Sequence, residues 1–550
     1  MAWRQAGGLM ISIAFAGSVQ AQEHAGHAAP PAVEESAAST SRIPLYNDLG
    51  SHGHPITTSS PAAQQYFDQG LRLTYGFNHA EAIAAFEEAA RLDPAAPMPW
   101  WGIANALGPN INAPMEGDQE TRAHAAAQEA LTRKANGSDA ERAYLEAIAV
   151  RYGPDAGVDR AARDSAYAKT MQEVATRFPD DLDAVSLAAE ALMNLSPWYY
   201  WTHEGEPRPD TPAILTRLEG VLQRNPDHPG ACHFYIHAVE AAHPEKALPC
   251  AERLAALMPG AGHIVHMPGH IYIRVGRWAD AIAANEHAVH ADQSYIADRT
   301  PSGIYPTLYY PHNWHFLSLA ATMLGRGDQA LDAARFVAEN IPADLAAGIP
   351  DLQQMLAFLH LTQVTFGRWD EVLATPSPAP GLPITDGLVH YARGVAFAAT
   401  ERFAEAEAEL DSVARIAASP PAGDAGAVLP IAELALRGEI AARRGELDDA
   451  AMHFAAAVKL EDALEYIEPP RWYYPIRHSL GAVLLRAGRA GEAERVYRED
   501  LKRFPNNGWS LFGLARSLEA QGKTEAAREA DEQFDTVWSG ADVTLAASRF

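Results

Sequence analysis

The chain has 550 residues, of which 48% are hydrophobic and 21% are charged, and this composition is typical of a folded globular protein rather than a disordered one. Acidic residues outnumber Lys and Arg by 70 to 43, which gives a formal net charge of −27. A surface of that sign repels phosphate backbones and anionic lipid headgroups, so the charge argues against nucleic acid and anionic membranes as partners.

The first 21 residues have the parts of a secretory signal peptide. Arg4 supplies a positive charge, residues 8–17 are mostly apolar, and Val19-Gln20-Ala21 ends in the small residue that precedes a cleavage site. A buried N-terminal helix is the alternative interpretation. No later segment has 18 consecutive apolar residues, so we expect no transmembrane span and predict a periplasmic or secreted protein.

Residues 22–58 are rich in Ala, Pro, Ser and Glu, and this composition predicts a flexible tether ahead of the folded region. The tether carries four histidines, which are His24, His27, His52 and His54. They are compatible with weak metal collection, although chance placement in a polar segment is the favoured interpretation.

Cys232 and Cys250 are the only cysteines, so the chain has no disulfide framework. They fall on the two helices of one predicted hairpin, and export would place them in an oxidising compartment. A single bridge and two free thiols are both compatible with the sequence, because spacing alone does not fix the Cα separation.

A 34-residue pattern of small and large residues recurs between about residue 60 and residue 540. In the clearest copy Gly70, Ala82, Phe86, Ala89 and Pro94 fall at positions 8, 20, 24, 27 and 32. The pattern resembles the tetratricopeptide repeat, in which small residues let two antiparallel helices approach and large residues fill the space between hairpins. The resemblance implies an all-α, right-handed α-solenoid, and we expect about nine to eleven helical hairpins over residues 59–545.

Two long aromatic segments interrupt the repeat. Residues 196–212 contain Trp198-Tyr199-Tyr200-Trp201, and residues 294–311 contain four tyrosines and three prolines. Long irregular loops in a compact array are often functional. Packing of aromatic rings over an edge of the solenoid is the alternative.

Histidines are concentrated in one part of the chain, since eleven of the 22 lie within residues 228–315. They recur at spacings of three and four, which keep side chains on one helix face, on the first helix of three successive hairpins. In tetratricopeptide arrays that helix lines the concave groove. We therefore predict a His-rich groove within residues 228–316 whose metal ligands are His233, His237, Glu240, His263, His266, His270, His312 and His315.

Imidazole is the commonest metal ligand, and three histidines, or two with a carboxylate, suit zinc with an open coordination position. The same set can hold copper or iron. A bound ion would act as a Lewis acid or generate hydroxide, and copper or iron would add redox chemistry, with Glu240 as a ligand or general base. A hydrogen-bonded histidine network that binds an acidic peptide or small anion remains an alternative, as does structural packing.

Several stretches, among them GFNHAEAIAAFEEAARLDP, HFYIHAVE and HIVHMPGHIYIRVGRWADAIAANE, resemble a family of exported bacterial tetratricopeptide proteins. The resemblance implies the fold but supplies no activity. The prediction is an exported solenoid with a metal site in its groove, where a small molecule or peptide binds. Whether it is an enzyme, and then a metal-dependent hydrolase or oxidoreductase, stays open, and the alternative is a non-catalytic scaffold for a protein or peptide partner.

Overall fold

A computed structural model of the chain describes residues 43–115, 117–154, 159–299, 305–421 and 423–550. The predicted signal peptide, together with His24 and His27 of the tether, lies outside the described residues. Within the described part, all regular secondary structure is helical, and the only β-type pairings are two isolated bridges.

The helices of the first half of the array follow one another closely along the chain. They are α1 (Pro61–Tyr75), α2 (His79–Leu92), α3 (Met98–Ala106), α4 (Gln119–Thr132), α5 (Asp139–Arg151), α6 (Arg160–Arg177), α7 (Leu182–Met193), α8 (Thr211–Arg224), α9 (Pro229–Val239), α10 (Leu248–Leu257), α11 (Gly262–His266), α12 (Pro268–Val275) and α13 (Trp278–Arg299).

The second half begins after a short π-helical turn, Tyr305–Tyr309. Its helices are α14 (Tyr310–Met323), α15 (Gly327–Asn340), α16 (Ala343–Gly348), α17 (Pro350–Leu356), α18 (Phe358–Thr365), α19 (Trp369–Ala374), α20 (Pro383–Ala399), α21 (Phe403–Ala417), α22 (Val428–Arg444), α23 (Leu447–Asp462), α24 (Ile476–Arg486), α25 (Ala490–Arg503), α26 (Gly508–Ala520) and α27 (Thr524–Trp538).

Consecutive helices pair into hairpins, from α1 with α2 to α26 with α27, and neighbouring hairpins stack. The small and large repeat positions meet as predicted. A methyl group added to Gly70 would lie 2.6 Å from the Phe86 ring, and one added to Gly102 in the next hairpin would lie 2.5 Å from the same ring. The Phe86 ring thus fills the space left by two glycines of neighbouring hairpins, in agreement with the all-α helical-repeat solenoid.

The C-terminal hairpins turn back onto the middle of the array. The Trp278 indole donates a hydrogen bond to the Pro505 carbonyl (2.8 Å), and the Trp509 indole donates one to the Thr322 carbonyl (2.8 Å). The Asp542 carboxylate accepts from the first backbone amides of α15. This closure brings the segment between α23 and α24, residues 463–475, opposite α12.

Residues 43–58, which composition assigned to the tether, lie against the solenoid. Tyr46 donates to Glu81 (2.8 Å), and Thr58 donates to Asp93 (2.7 Å). His52 and His54 both contact the buried carboxylate of Asp183, at 2.9 and 3.0 Å. The tether interpretation missed this packing because its polar residues have partners on distant helices, which composition does not show.

None of the described helices combines the length and apolarity needed to cross a membrane.

Candidate metal centre

The three predicted groove helices lie side by side and carry the predicted ligands. Helix α9 presents His233 and His237, with Glu240 directly after its end. Helices α11 and α12, separated only by Met267, present the next three histidines, and α14 presents the last two. Six of the eight side chains are at most 2% exposed, namely His233, His237, Glu240, His263, His266 and His270. His312 and His315 are half-buried.

Six histidines form two groups of three. In the first triad, which is His233, His237 and His263, one ring nitrogen of each residue lies within 4.8 Å of the others. The His233 ring centroid is 5.0 Å from those of both His237 and His263. The Nε2 atoms of His233 and His237 and both ring nitrogens of His263 are buried and have no hydrogen-bond partner within the described part of the chain.

The second triad is His266, His270 and His312, and it meets the same 4.8 Å spacing. The Nε2 atoms of His266 and His270 are 2.8 Å apart. The His312 ring lies 4.9 Å from His266 and 5.9 Å from His270, measured between centroids. The triads adjoin each other, since His237 and His270 are separated by 5.2 Å between ring centroids.

Oxygen atoms behind the triads fix the orientation of four imidazoles. The Nδ1 of His233 contacts the Tyr75 backbone carbonyl (2.6 Å), and the Nδ1 of His266 contacts the Asn285 side-chain oxygen (2.8 Å). These oxygens only accept hydrogen bonds, so each Nδ1 carries the proton. In a neutral ring the Nε2 then keeps a free lone pair, which is the state that binds a metal.

Glu240 connects the two triads. Its Oε1 accepts from His237 Nδ1 (3.0 Å), its Oε2 accepts from His270 Nδ1 (2.6 Å), and the side chain is fully buried. One carboxylate thus orients one imidazole of each triad from the Nδ1 side. His237, Glu240 and His270 also have the spacing of a metal site, so the predicted ligand role of Glu240 stays a prediction.

The electrostatic environment keeps most of these imidazoles neutral. Burial lowers the pKa of five of these histidines well below the usual value, and the charges of neighbouring imidazoles lower it further. These are His233, His237, His263, His266 and His312. Burial also lowers the pKa of His270, but the Glu240 and Glu468 carboxylates outweigh it and raise that pKa to about 9.

Two aromatic residues with left-handed backbone conformations pack against the first triad. Phe77 (φ 54°) lies between α1 and α2, with its ring centroid 4.5 Å from His233 and 5.5 Å from His263. Trp198 (φ 69°) lies in the first aromatic loop and meets the His237 ring edge-on at 5.0 Å. Such conformations cost non-glycine residues about 1–3 kcal/mol and cluster at functional sites.

Sequence reasoning missed the contribution of residues 463–475. Glu468 in this segment is buried, and its Oε2 lies 3.0 Å from His270 Nδ1. The segment does carry a signal, because the sequence EYIEPPRWYYP interrupts the repeat with prolines and aromatic residues in the same way as the two loops that were singled out. Phe77, Tyr75 and Asn285 had no comparable signal.

A cavity of about 640 Å³ adjoins both triads. His237 and His263 of the first triad, and His270 and His312 of the second, form part of its wall. The first aromatic loop, the π-helical turn and residues 461–472 contribute to the rest. Both segments that sequence analysis identified as candidate functional loops therefore border the histidines.

His315 lies outside both triads. Its ring packs edge-on against Phe358 at 4.3 Å, and burial lowers its pKa to about 3. None of the ligand-spaced groups found among the described residues includes it. The structure thus brings His315 to the cavity wall but not into either triad.

A second cluster of histidines surrounds Asp183 near the start of α7. Tyr75 donates to the Asp183 carboxylate (2.6 Å), and His52, His54 and His228 contact it at 2.9 to 3.2 Å. The Nδ1 of His228 accepts from the Ala231 backbone amide, so its proton is on the Nε2 that faces Asp183. His228 Nε2 lies 3.2 Å from Asp183, and His52, Asp183 and His228 also have the spacing of a metal site.

Cys232 and Cys250 are buried and unbridged. A hydrogen bond with the neighbouring Cys250 thiol, together with burial, raises the pKa of the Cys232 thiol. The pair meets on neighbouring helices, as the hairpin prediction expected.

No protein-family model matches this chain, and no curated protein does. Among solved structures, it is similar to the human IFIT1 dimer with PPP-AAAA (TM-score 0.30, 11% identity, 88% of this chain and 92% of that one). It is also similar to the APC/C hetero-tetramer Cut9–Hcn1 (TM-score 0.26, 11% identity, 87% and 94%) and to Naa15/Naa10 bound to HypK-THB (TM-score 0.21, 13% identity, 87% and 70%). Likenesses this distant say nothing about the site.

Proposed function

We propose that the two triads hold two metal ions and that the protein carries out metal-dependent chemistry on a small molecule in the adjoining cavity. One observation carries the proposal: six histidines converge in two triads, and in each triad one ring nitrogen of every residue lies within 4.8 Å of the others. In the second triad the Nε2 atoms of His266 and His270 are 2.8 Å apart, and a metal ion would take the place of the His270 proton between them.

The first triad supports the same conclusion independently. Four buried ring nitrogens there have no partner in the described part of the chain, and one nitrogen from each histidine lies within 4.8 Å of the others. Leaving a buried polar atom unpaired costs about 1–3 kcal/mol, so a ligand that satisfied this set would be stabilising. A metal ion that accepts one lone pair from each residue would do so.

The donor set favours zinc, copper or iron over magnesium and calcium. All six triad ligands are imidazole nitrogens, which suit borderline metals, whereas magnesium and calcium prefer oxygen. Three histidines leave a coordination position open for substrate or water. With zinc this arrangement supports hydrolysis, and with copper or iron it supports oxidation, so the identity of the metal decides the reaction class.

We assign Glu240 a positioning role. Its two oxygens orient His237 and His270, and carboxylate–histidine–metal arrangements of this kind raise the basicity of the ligand and fix the ring. Glu468, from the segment between α23 and α24, would help to orient His270 through the same Nδ1 atom.

A small molecule is favoured over an extended peptide as the occupant of the cavity. Trp198 from one loop and Tyr309 from another pack directly on His237 and His263, and residues 461–472 form part of the wall. A scaffold that binds peptides would need a groove free of such loops. Export to the periplasm or medium, proposed from the pattern of residues 1–21, would expose the site to metals outside the cytoplasm.

Metal stoichiometry of paired variants tests the proposal. Untagged protein is loaded with zinc, copper(II) or iron(II) in turn, desalted and measured by mass spectrometry. We expect two equivalents of the preferred metal in the native protein, and one in either His233→Ala/His237→Ala or His266→Ala/His312→Ala. The control is His287→Ala/His290→Ala, which removes two exposed histidines of α13 and should leave two equivalents.

Retention of less than one equivalent of every metal by folded native protein would contradict the proposal. So would full retention by both triad variants. Either outcome would favour the scaffold function, which pull-down of peptides or partner proteins would then examine.

A further inference from the structure

Aromatic side chains form part of the cavity wall next to the triads. Its side chains include Trp198, Trp201, Trp278, Tyr309, Tyr466 and Trp472. Three of these rings are held in place by their indole N–H groups, which donate to the backbone carbonyls of Ile111, Ala238 and Pro505 at 2.7 to 2.9 Å. Fixed rings bind a ligand at little cost in side-chain entropy.

Among the described residues of this wall, every arginine already has an acceptor or a stacking partner and none is left to pair with an anionic group. Arg471 pairs with Asp351, and both Arg477 and Arg503 pair with Asp462, at 2.7 Å in each of the latter cases. Arg274 donates to the backbone carbonyls of Glu240 and Ala241. Its guanidinium also stacks 5.3 Å from the Tyr466 ring centroid.

Carboxylates of the wall are in excess. Asp424 and Glu465 border the cavity and form no ion pair within the described ranges of the chain, and burial raises the pKa of the bordering Glu461 to about 8. A carboxylate or phosphate on the distal part of a ligand would therefore lose its hydration without gaining a partner, which is costly in a partly buried site.

We propose that the substrate is an aromatic molecule that reaches the metal ions through a single hydroxyl group and carries no other anionic group, that is, a simple phenol. The inference rests on the proposed function, because the hydroxyl is assigned to the open metal positions. The ring is assigned to the aromatic wall, which adjoins the histidines through Trp198 and Tyr309. Stacked and edge-to-face ring contacts favour such a ligand over a saturated one of equal size.

Binding of three matched probes tests the inference. These are 4-ethylphenol, the saturated analogue 4-ethylcyclohexanol, and 4-hydroxybenzoate, which has a carboxylate in place of the ethyl group. Dissociation constants are measured by calorimetry and by quenching of tryptophan fluorescence, on metal-loaded and on metal-free protein. We expect 4-ethylphenol to bind metal-loaded protein about tenfold more tightly than either analogue.

Variants locate the binding. Trp198→Leu should weaken 4-ethylphenol about tenfold, and Trp201→Leu, whose ring contacts neither triad, serves if the first variant fails to fold. Trp100→Leu is the control, because that half-buried tryptophan lies outside the cavity wall. The affinity of the Trp100→Leu variant for 4-ethylphenol should equal that of the native protein.

The outcomes separate the two claims. Metal binding without any preference for 4-ethylphenol over 4-ethylcyclohexanol would overturn the aromatic inference and leave the metal centre standing. A preference for 4-ethylphenol in a protein that binds no metal would contradict the proposed function and the assignment of the hydroxyl. Tighter binding of 4-hydroxybenzoate would overturn the claim that the wall rejects a second anionic group.

Discussion

Glu240 accepts a hydrogen bond from one imidazole of each triad. The isosteric change Glu240→Gln should therefore lower the affinity for metal without creating a cavity in the core. The glutamine amide can place its oxygen on only one of the two Nδ1–H groups and turns an NH2 group toward the other. At separations of 2.6 and 3.0 Å the second imidazole then faces a donor instead of an acceptor.

Loss of an oxygen acceptor behind a metal-ligating histidine typically lowers affinity 10- to 100-fold, or about 1.4 to 2.8 kcal/mol. We expect a loss of that size for at least one of the two ions. Competition with a chromophoric chelator measures both affinities, and circular dichroism with thermal unfolding checks that the variant is folded.

Glu468→Gln is the matched control. Glu468 contacts His270 but neither His233 nor His237, so this change should leave the first ion unaffected and weaken only the second. Unchanged affinity for both ions in folded Glu240→Gln protein would refute the bridging role assigned to Glu240.

Three further predictions concern packing, the N-terminal segment and the excluded histidine. Gly70→Ala should destabilise the protein by about 1–3 kcal/mol, because the added methyl lies 2.6 Å from an aromatic ring. Gly220→Ala in α8, where the added methyl would have nothing within 4 Å, should stabilise the protein by up to about 1 kcal/mol. Denaturant unfolding measures both free energies, and equal effects of the two changes would argue against the packing of Gly70 on Phe86. Burial lowers the pKa of His54, but the hydrogen bond to Asp183 and the negative charge of Asp183 outweigh burial and raise this pKa above its usual value. The contact therefore stabilises residues 43–58 below about pH 6.5, and this stabilisation is lost as the pH rises through the raised pKa. Hydrogen-exchange protection of this segment, corrected for intrinsic rates, should fall across that range, and a fall that persists in Asp183→Asn would contradict the mechanism. His315→Ala should retain both metal equivalents, and loss of one would restore His315 to the ligand set.

The architecture was predictable from the sequence because each repeat is a local unit. Gly70 and Phe86 lie 16 residues apart, and their positions within one repeat already imply that they meet. The convergence of the groove histidines was predictable for the same reason, since spacings of three and four fix a helix face and successive hairpins stack in order.

The division into two triads was not predicted. The sequence analysis expected all ligands to point to one place, but His263 and His270 are seven residues apart, which is about 10 Å along a helix. A single ion would not span that distance, and in the structure His263 groups with the histidines of α9, whereas His270 groups with His266 and with His312 of α14.

The outer contacts also lay beyond sequence reasoning. Phe77, Asn285 and Glu468 reach the histidines from α1–α2, from α13 and from the far side of the superhelix. No local spacing links these residues to the groove, because the curvature of the array decides which of them come together. The tether interpretation failed for residues 43–58 for a similar reason.

The most direct test of the metal centre is an anomalous-difference Fourier map from crystals of untagged, metal-loaded protein, recorded above and below the absorption edge of the bound metal. We predict two peaks, one about 2.1 Å from nitrogen atoms of His233, His237 and His263, and the other at a similar distance from His266, His270 and His312. A map without peaks at these histidines, from crystals grown with excess metal, would contradict the account.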